Sequence, residues 1–161
     1  MIDGFFYVLT LLTALGCGLT AGVFFGFSSF VMKALARLGS PAGIAAMQSI
    51  NREAPTPLFM AALLGTALGC VAVAVSSLFI WDEPAAVYML VGGLVYLVGT
   101  MLLTIAYHIP RNEALAGVDP DGAEAADHWQ RYVSGWTGWN HVRTGAALAA
   151  AAILTVALRV S

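Results

Sequence analysis

Long uncharged apolar runs dominate the chain, and their lengths set the fold before any motif is considered. Gly4 to Met32 carries no charge. Three further apolar runs follow: Pro57 to Ile80, Ala85 to Tyr107, and Trp139 to Leu158 with Arg143 in its first turn or two. A bilayer core about 30 Å thick needs roughly 20 helical residues, and each run is long enough. The apolar positions are continuous and do not alternate with polar ones, which favours helices over a β-barrel. The pattern predicts an all-α integral membrane four-helix bundle, a single transmembrane domain over residues 1–161.

The polar positions fall into three connections. The first, Lys33 to Thr56, predicts a short helix: Ser40-Pro41 reads as its start, and Ile44, Met47 and Ile50 repeat at helical spacing. That helix either lies on the membrane surface or folds under the bundle to close a pocket. The second connection is a tight turn at Trp81-Asp82-Glu83-Pro84. The third, His108 to Gly138, predicts another interfacial helix from about Asp121 to Gly135. Pro110 disfavours helix at Ile109, so the third span is expected to stop at His108. Lys33, Arg37, Arg52, Arg111 and Arg131 lie in the two long connections, against Arg159 on the opposite side. The positive-inside rule therefore predicts a multi-pass cell-membrane protein with both long connections cytoplasmic and both termini outside.

Composition narrows the function classes. Of 161 residues, 60% are apolar and 10% charged, with a mean hydropathy of +0.83 and a net charge of −2. So few charges cannot cover a soluble surface, and the balance excludes a disordered chain or a nucleic-acid binder. Met1 to Tyr7 carries Asp3 and no basic residue, so no cleaved signal is expected. Cys17 and Cys70 sit inside apolar runs and read as buried, reduced side chains. Ala14, Gly18, Gly22 and Gly26 recur at four-residue spacing, as do Gly65 and Gly69, which predicts close helix packing along those stripes. A weak two-fold pattern places Asn51-Arg52 and Asn140-His141 near the ends of the two long connections.

Candidate chemistry concentrates in Trp136-Thr137-Gly138-Trp139-Asn140-His141-Val142-Arg143-Thr144. On a helix, Trp136, Asn140 and Arg143 share a face. Gln48, Asn51, Arg52, Glu53, Tyr107, His108, Arg111, Asn112 and Glu113 belong to the same end of the bundle. An ionisable residue inside a span is expensive unless it faces the bundle interior or water. Asn140, His141 and Arg143 are therefore expected to line one pocket with Asn51, Glu53, His108 and Asn112. No cofactor is fixed. His108 and His141 are weak metal candidates that would need a carboxylate or water, and two axial histidines could also hold a haem. The chain has no HxxxH, CxxC or HExxH motif and no Gly-rich nucleotide loop.

The chain resembles the DUF1772 family of four-span membrane proteins, which includes the anthrone oxygenases of aromatic polyketide pathways. The matching residues are Gly22 to Ser28, Ala46 to Asn51, Ile109 to Leu115, and the Trp-Asn-x-x-Arg-Thr core within Trp136 to Thr144. The family usually has Asn before the proline where this chain has Ile109. The resemblance implies O₂ chemistry on an electron-rich anthrone-like ring, for which a cofactor is not strictly required. It implies His141 or His108 as base, and Arg143, Asn140 and the indole N–H groups of Trp136 and Trp139 as holders of the oxyanion. It also implies Phe24, Phe25 and Phe27 as an apolar wall for a flat ring. Two other classes stand beside an oxidoreductase: a non-catalytic small-molecule binder or permease component, and an accessory subunit. The expected partners are the lipid bilayer and a small aromatic substrate, not nucleic acid, and a homo-oligomer is left open.

Overall fold

The computed structural model describes residues 4–160; Asp3, on which the signal-peptide reading leaned, lies outside the described residues. Four long apolar helices form a membrane bundle: α1 (Gly4–Arg37), α3 (Pro57–Ile80), α4 (Ala85–Ala116) and α5 (Ala125–Arg159). A shorter helix, α2 (Ser40–Glu53), lies between the first two. No strand occurs among the described residues. The chain is a multi-pass membrane protein. Leu12, Leu19, Leu68 and Phe79 stand exposed around the bundle, as lipid-facing side chains do.

Each span neighbours two others. α1 packs on α3 and α5, and α4 packs on the same two. Direction alternates along the chain, so all four neighbouring pairs are antiparallel. One core joins Ala14, Cys17 and Ala21 of α1 to Cys70 and Val73 of α3, Met89 and Tyr96 of α4, and Ala147, Ala150 and Leu154 of α5. A second core lies towards the end that carries α2. It joins Met32, Leu35, Ile44, Met47, Leu115, Trp129, Tyr132 and Trp136.

Local chemistry sets the helix ends. Gly39 has φ 81°, a left-handed turn that suits glycine and reverses the chain from α1 into α2. Ile44 and Met47 of α2 are fully buried, so α2 folds under the bundle and does not float on its surface. Gln48 pins it there: its Nε2 donates to the Leu115 and Val118 carbonyls, both at 2.9 Å, where α4 ends. Thr56 caps α3, its hydroxyl accepting from the Phe59 N–H at 3.2 Å, and Pro57 takes the first helical position.

The helices extend further than the apolar runs. α1 continues to Arg37 instead of stopping at Met32. α4 passes through Pro110 to Ala116 and does not end at His108. A π-helical turn over Thr104–His108 absorbs the proline: the Ile109 N–H reaches back five residues to the Thr104 carbonyl. The interfacial helix expected at Asp121 to Gly135 is not separate, because α5 runs unbroken from Ala125. At about 1.5 Å per residue, its 35 residues measure roughly 52 Å and overshoot a bilayer core.

The glycine stripes also differ from expectation. A Cβ built on Gly18, Gly22 or Gly65 meets nothing, and on Gly26 it meets only Phe30 of the same helix. Of the stripe glycines Gly69 does pack closely, against Thr13; other close approaches lie off the stripes: Gly16 against Thr66, Gly93 against the Cys70 carbonyl, and Gly99 against Ala146. Cys17 and Cys70 are free and buried, with their sulfurs 3.8 Å apart.

Candidate functional site

Where the two cores meet, the helices leave a mostly apolar cavity of about 410 Å³. Every helix contributes to its wall. Phe24 and Phe27 come from α1, Asn51 from α2, Phe59, Met60 and Leu63 from α3, Thr104, His108 and Asn112 from α4, and Trp136 and Arg143 from α5.

Arg143 is buried, and three of its five guanidinium N–H groups are engaged. Nε and Nη2 both donate to Asn140 Oδ1, at 3.1 and 2.6 Å, and Nη1 donates to Thr104 Oγ1 at 3.1 Å. Its Cζ lies 3.8 Å from the centroid of the Phe24 ring and 5.7 Å from that of Trp136, within cation–π range. Asn140 is held in turn. Its Nδ2 donates to the Phe24 carbonyl at 2.8 Å and to Ser28 Oγ at 2.7 Å. These hydrogen-bond partners are neutral, so none of them cancels the positive charge at the cavity wall.

Opposite in character is His108. It is 1% exposed, and neither ring nitrogen has a hydrogen-bond partner in the protein. Its ring packs edge-on to Trp136, with centroids 5.0 Å apart. Asn51 Nδ2 is likewise buried without a partner. Buried polar atoms are nearly always paired, so these three nitrogens mark where a ligand can bond. Asn112 is already used: Oδ1 accepts from the Tyr132 hydroxyl at 2.8 Å and from Trp136 Nε1 at 3.0 Å. The Trp136 indole N–H is thus tied to Asn112, and the ring serves as a wall.

Five expected residues do not line the cavity. Asn140 is fully buried and holds Arg143 without forming part of the wall. His141 is exposed in a groove beside Met32 and Lys33, because it follows the buried Asn140 by one residue and points about 100° away. Trp139 is 45% exposed and rests against Tyr107. Phe25 is exposed one position after the buried Phe24. Glu53 lies on the exposed side of α2 and does not partner Arg143. His108 and His141 face different spaces and cannot share an ion. Among the described residues no three His, Cys, Asp or Glu side chains converge.

Sequence reasoning missed Ser28, Thr100 and Thr104. Thr104 Oγ1 donates to the Thr100 carbonyl at 2.6 Å, and Thr100 Oγ1 donates to the Arg143 carbonyl at 3.4 Å. All three lie on π-helical turns, Phe27–Val31, Leu97–Leu102 and Thr104–His108. Such turns gather at functional sites. The available signal was the i, i+4 pair of hydroxyls on one face of an otherwise apolar span.

The anthrone oxygenase family model matches residues 54–153. This chain belongs to the anthrone oxygenase family. The matched region carries Thr104, His108, Asn112, Trp136, Asn140 and Arg143, while Phe24, Ser28 and Asn51 precede it. No curated protein and no solved structure matches the chain. In this anthrone oxygenase-family bundle, the His108 imidazole and the Arg143 guanidinium line the same mostly apolar space.

Proposed function

We propose that the chain is a membrane-embedded oxidoreductase that oxidises a small phenolic, anthrone-like ring with O₂ in this cavity. The observation that carries the reading is His108, buried, unpartnered and lining an apolar cavity together with a cation fixed by Asn140. An acidic ring C–H loses its proton to the His108 imidazole, and Arg143 balances the resulting enolate. The carbanion gives one electron to O₂, and the radical pair joins through a new C–O bond to form a hydroperoxide. Loss of the second C–H proton with O–O cleavage releases water and leaves a carbonyl. One CH₂ and one O₂ thus become one C=O and one H₂O.

Exposed lining residues mark the mouth: Ala54 and Pro55 between α2 and α3, and Ile109 and Glu113 on α4. A ring dissolved in the bilayer reaches the cavity there without crossing bulk water. The arginine-rich connections support a cytoplasmic position for this end. Because Cys17 and Cys70 are buried, single cysteines can test that orientation. An impermeant thiol reagent on intact cells should label Asp82→Cys and spare Asp121→Cys; the reverse pattern inverts the protein.

The activity test uses purified protein in nanodiscs with anthrone as probe. Quinone absorbance should rise above that of empty discs, with one O₂ consumed per quinone. His108→Gln should lower the rate by about 10²- to 10⁴-fold while anthrone still quenches tryptophan fluorescence. Saturable quenching by the unaltered protein with no quinone formed would instead identify a non-catalytic binder.

A further inference from the structure

A second hollow, about 380 Å³, lies between the end of α4 and the start of α5. Arg111 and Arg131 flank it, Leu115, Val118 and Tyr132 form an apolar floor, and His128 stands at its rim. Its depth in the membrane follows from the aromatic residues beside it. Tyr107 and the exposed Trp139 touch, with centroids 5.4 Å apart, where the apolar part of α5 begins. Aromatic pairs of this kind sit at the membrane–water interface. Arg111 stacks over Tyr107, its Cζ 5.1 Å from the ring centroid. It lies four residues further along α4, about 6 Å, which is the depth of the headgroup layer.

The charges in the hollow are not balanced by the protein. His128 faces Glu124 at 3.6 Å. Among the described residues, neither Arg111 nor Arg131 has a carboxylate at ion-pair distance, and the exposed Asp127, four residues before Arg131, is not paired with it. Two guanidiniums over an apolar floor at headgroup depth suit one kind of group. We infer that this hollow binds the phosphate of an anionic phospholipid of the surrounding leaflet. The two planar forks take the phosphate oxygens, and the glycerol and first acyl carbons cover Leu115, Val118 and Tyr132. Free phosphate would leave that floor wet. A zwitterionic headgroup would bring its own cation against the arginines.

Native mass spectrometry of the full chain, released from nanodiscs of equal phosphatidylglycerol and phosphatidylcholine, tests the assignment. The unaltered protein should retain phosphatidylglycerol preferentially. Arg111→Gln with Arg131→Gln should reduce that preference about 30-fold, about fivefold for each charge lost near a bilayer surface. Arg111→Lys with Arg131→Lys should keep most of the charge-dependent preference and lose the part that needs a planar fork. Circular dichroism of the double Gln variant checks that the helices persist. If its spectrum is altered, Ala114→Trp, which fills the hollow and leaves both charges, takes its place and should displace the lipid. Equal phosphatidylglycerol retention by a folded variant overturns the site. Displacement of the lipid by millimolar inorganic phosphate overturns the lipid assignment in favour of a soluble anion.

Discussion

The two halves of the bundle are built on different rules. In the closed half, small side chains let backbones touch: Ala14, Cys17, Ala21, Ala147 and Ala150 are all buried, and Gly93 lies against the Cys70 carbonyl. Its paired serine and threonine hydroxyls bond back to their own helices, as Thr20 does to the Gly16 and Cys17 carbonyls at 3.0 Å, while the Tyr96 hydroxyl crosses to the Leu63 carbonyl at 3.4 Å. In the cavity half, large aromatic residues and three π-helical turns hold the spans around a space. Here polar bonds cross between helices, from Asn140 to α1 and from Arg143 to α4. Of the buried polar side-chain atoms without a partner among the described residues, only Thr10 Oγ1 lies in the closed half. Tight packing at one end fixes the helix axes, so the other end can hold a cavity open without the bundle collapsing into it.

The comparison breaks most readily at Arg143. Arg143→Lys keeps the charge but loses the fork to Asn140 and the contact to Thr104. An ammonium reaching the same cavity cannot hold both partners at once. Turnover of anthrone should fall about 10- to 100-fold, on the order of 1.4–2.8 kcal/mol, with little change in detergent melting point. A variant as active as the unaltered protein would show that Arg143 holds the helices together and does not face the reaction. A lower melting point with turnover per folded molecule unchanged would say the same.

The spans were legible because their length in apolar residues is the physical requirement for crossing a bilayer. Of their polar extensions, the helix near Asp121 to Gly135 was legible but not its continuity with the last span, and Ile109 to Ala116 was not legible at all; both lie outside any apolar run and gain their order from α2 and from each other. The Trp136–Asn140–Arg143 face followed from helical spacing alone. The same spacing already separates His141 from Asn140 by about 100°, so grouping the two on one wall ignored helix phase. His108 and Asn51 are harder cases. The π-helical turns shift the phase of α4, and Asn51 reaches the cavity only because α2 folds under the bundle. Glycine spacing held at Gly69 but misled at Gly18, Gly22, Gly26 and Gly65 for a related reason: regular recurrence shows which side of a helix is bare, not which side has a neighbour.

The glycines give the smallest and sharpest test of the two-halves picture. Gly93→Ala and Gly22→Ala make the same chemical change in the middle of a span, and both remove a helix-weakening residue, worth up to about 1 kcal/mol. They differ only in surroundings. At Gly93 the new Cβ would lie 2.7 Å from the Cys70 carbonyl oxygen and 3.2 Å from Ala74 Cβ, so backbone must move. At Gly22 it meets nothing within 4 Å. Overpacking typically costs about 1–3 kcal/mol, so Gly93→Ala should lower the detergent melting point. Gly22→Ala should leave it unchanged or raise it slightly. Because the propensity gain is common to both, the difference between the two variants isolates the packing contribution of the closed half. Equal melting points would mean that α3 and α4 can part at Cys70 without loss, and that the closed half is not what holds the cavity open.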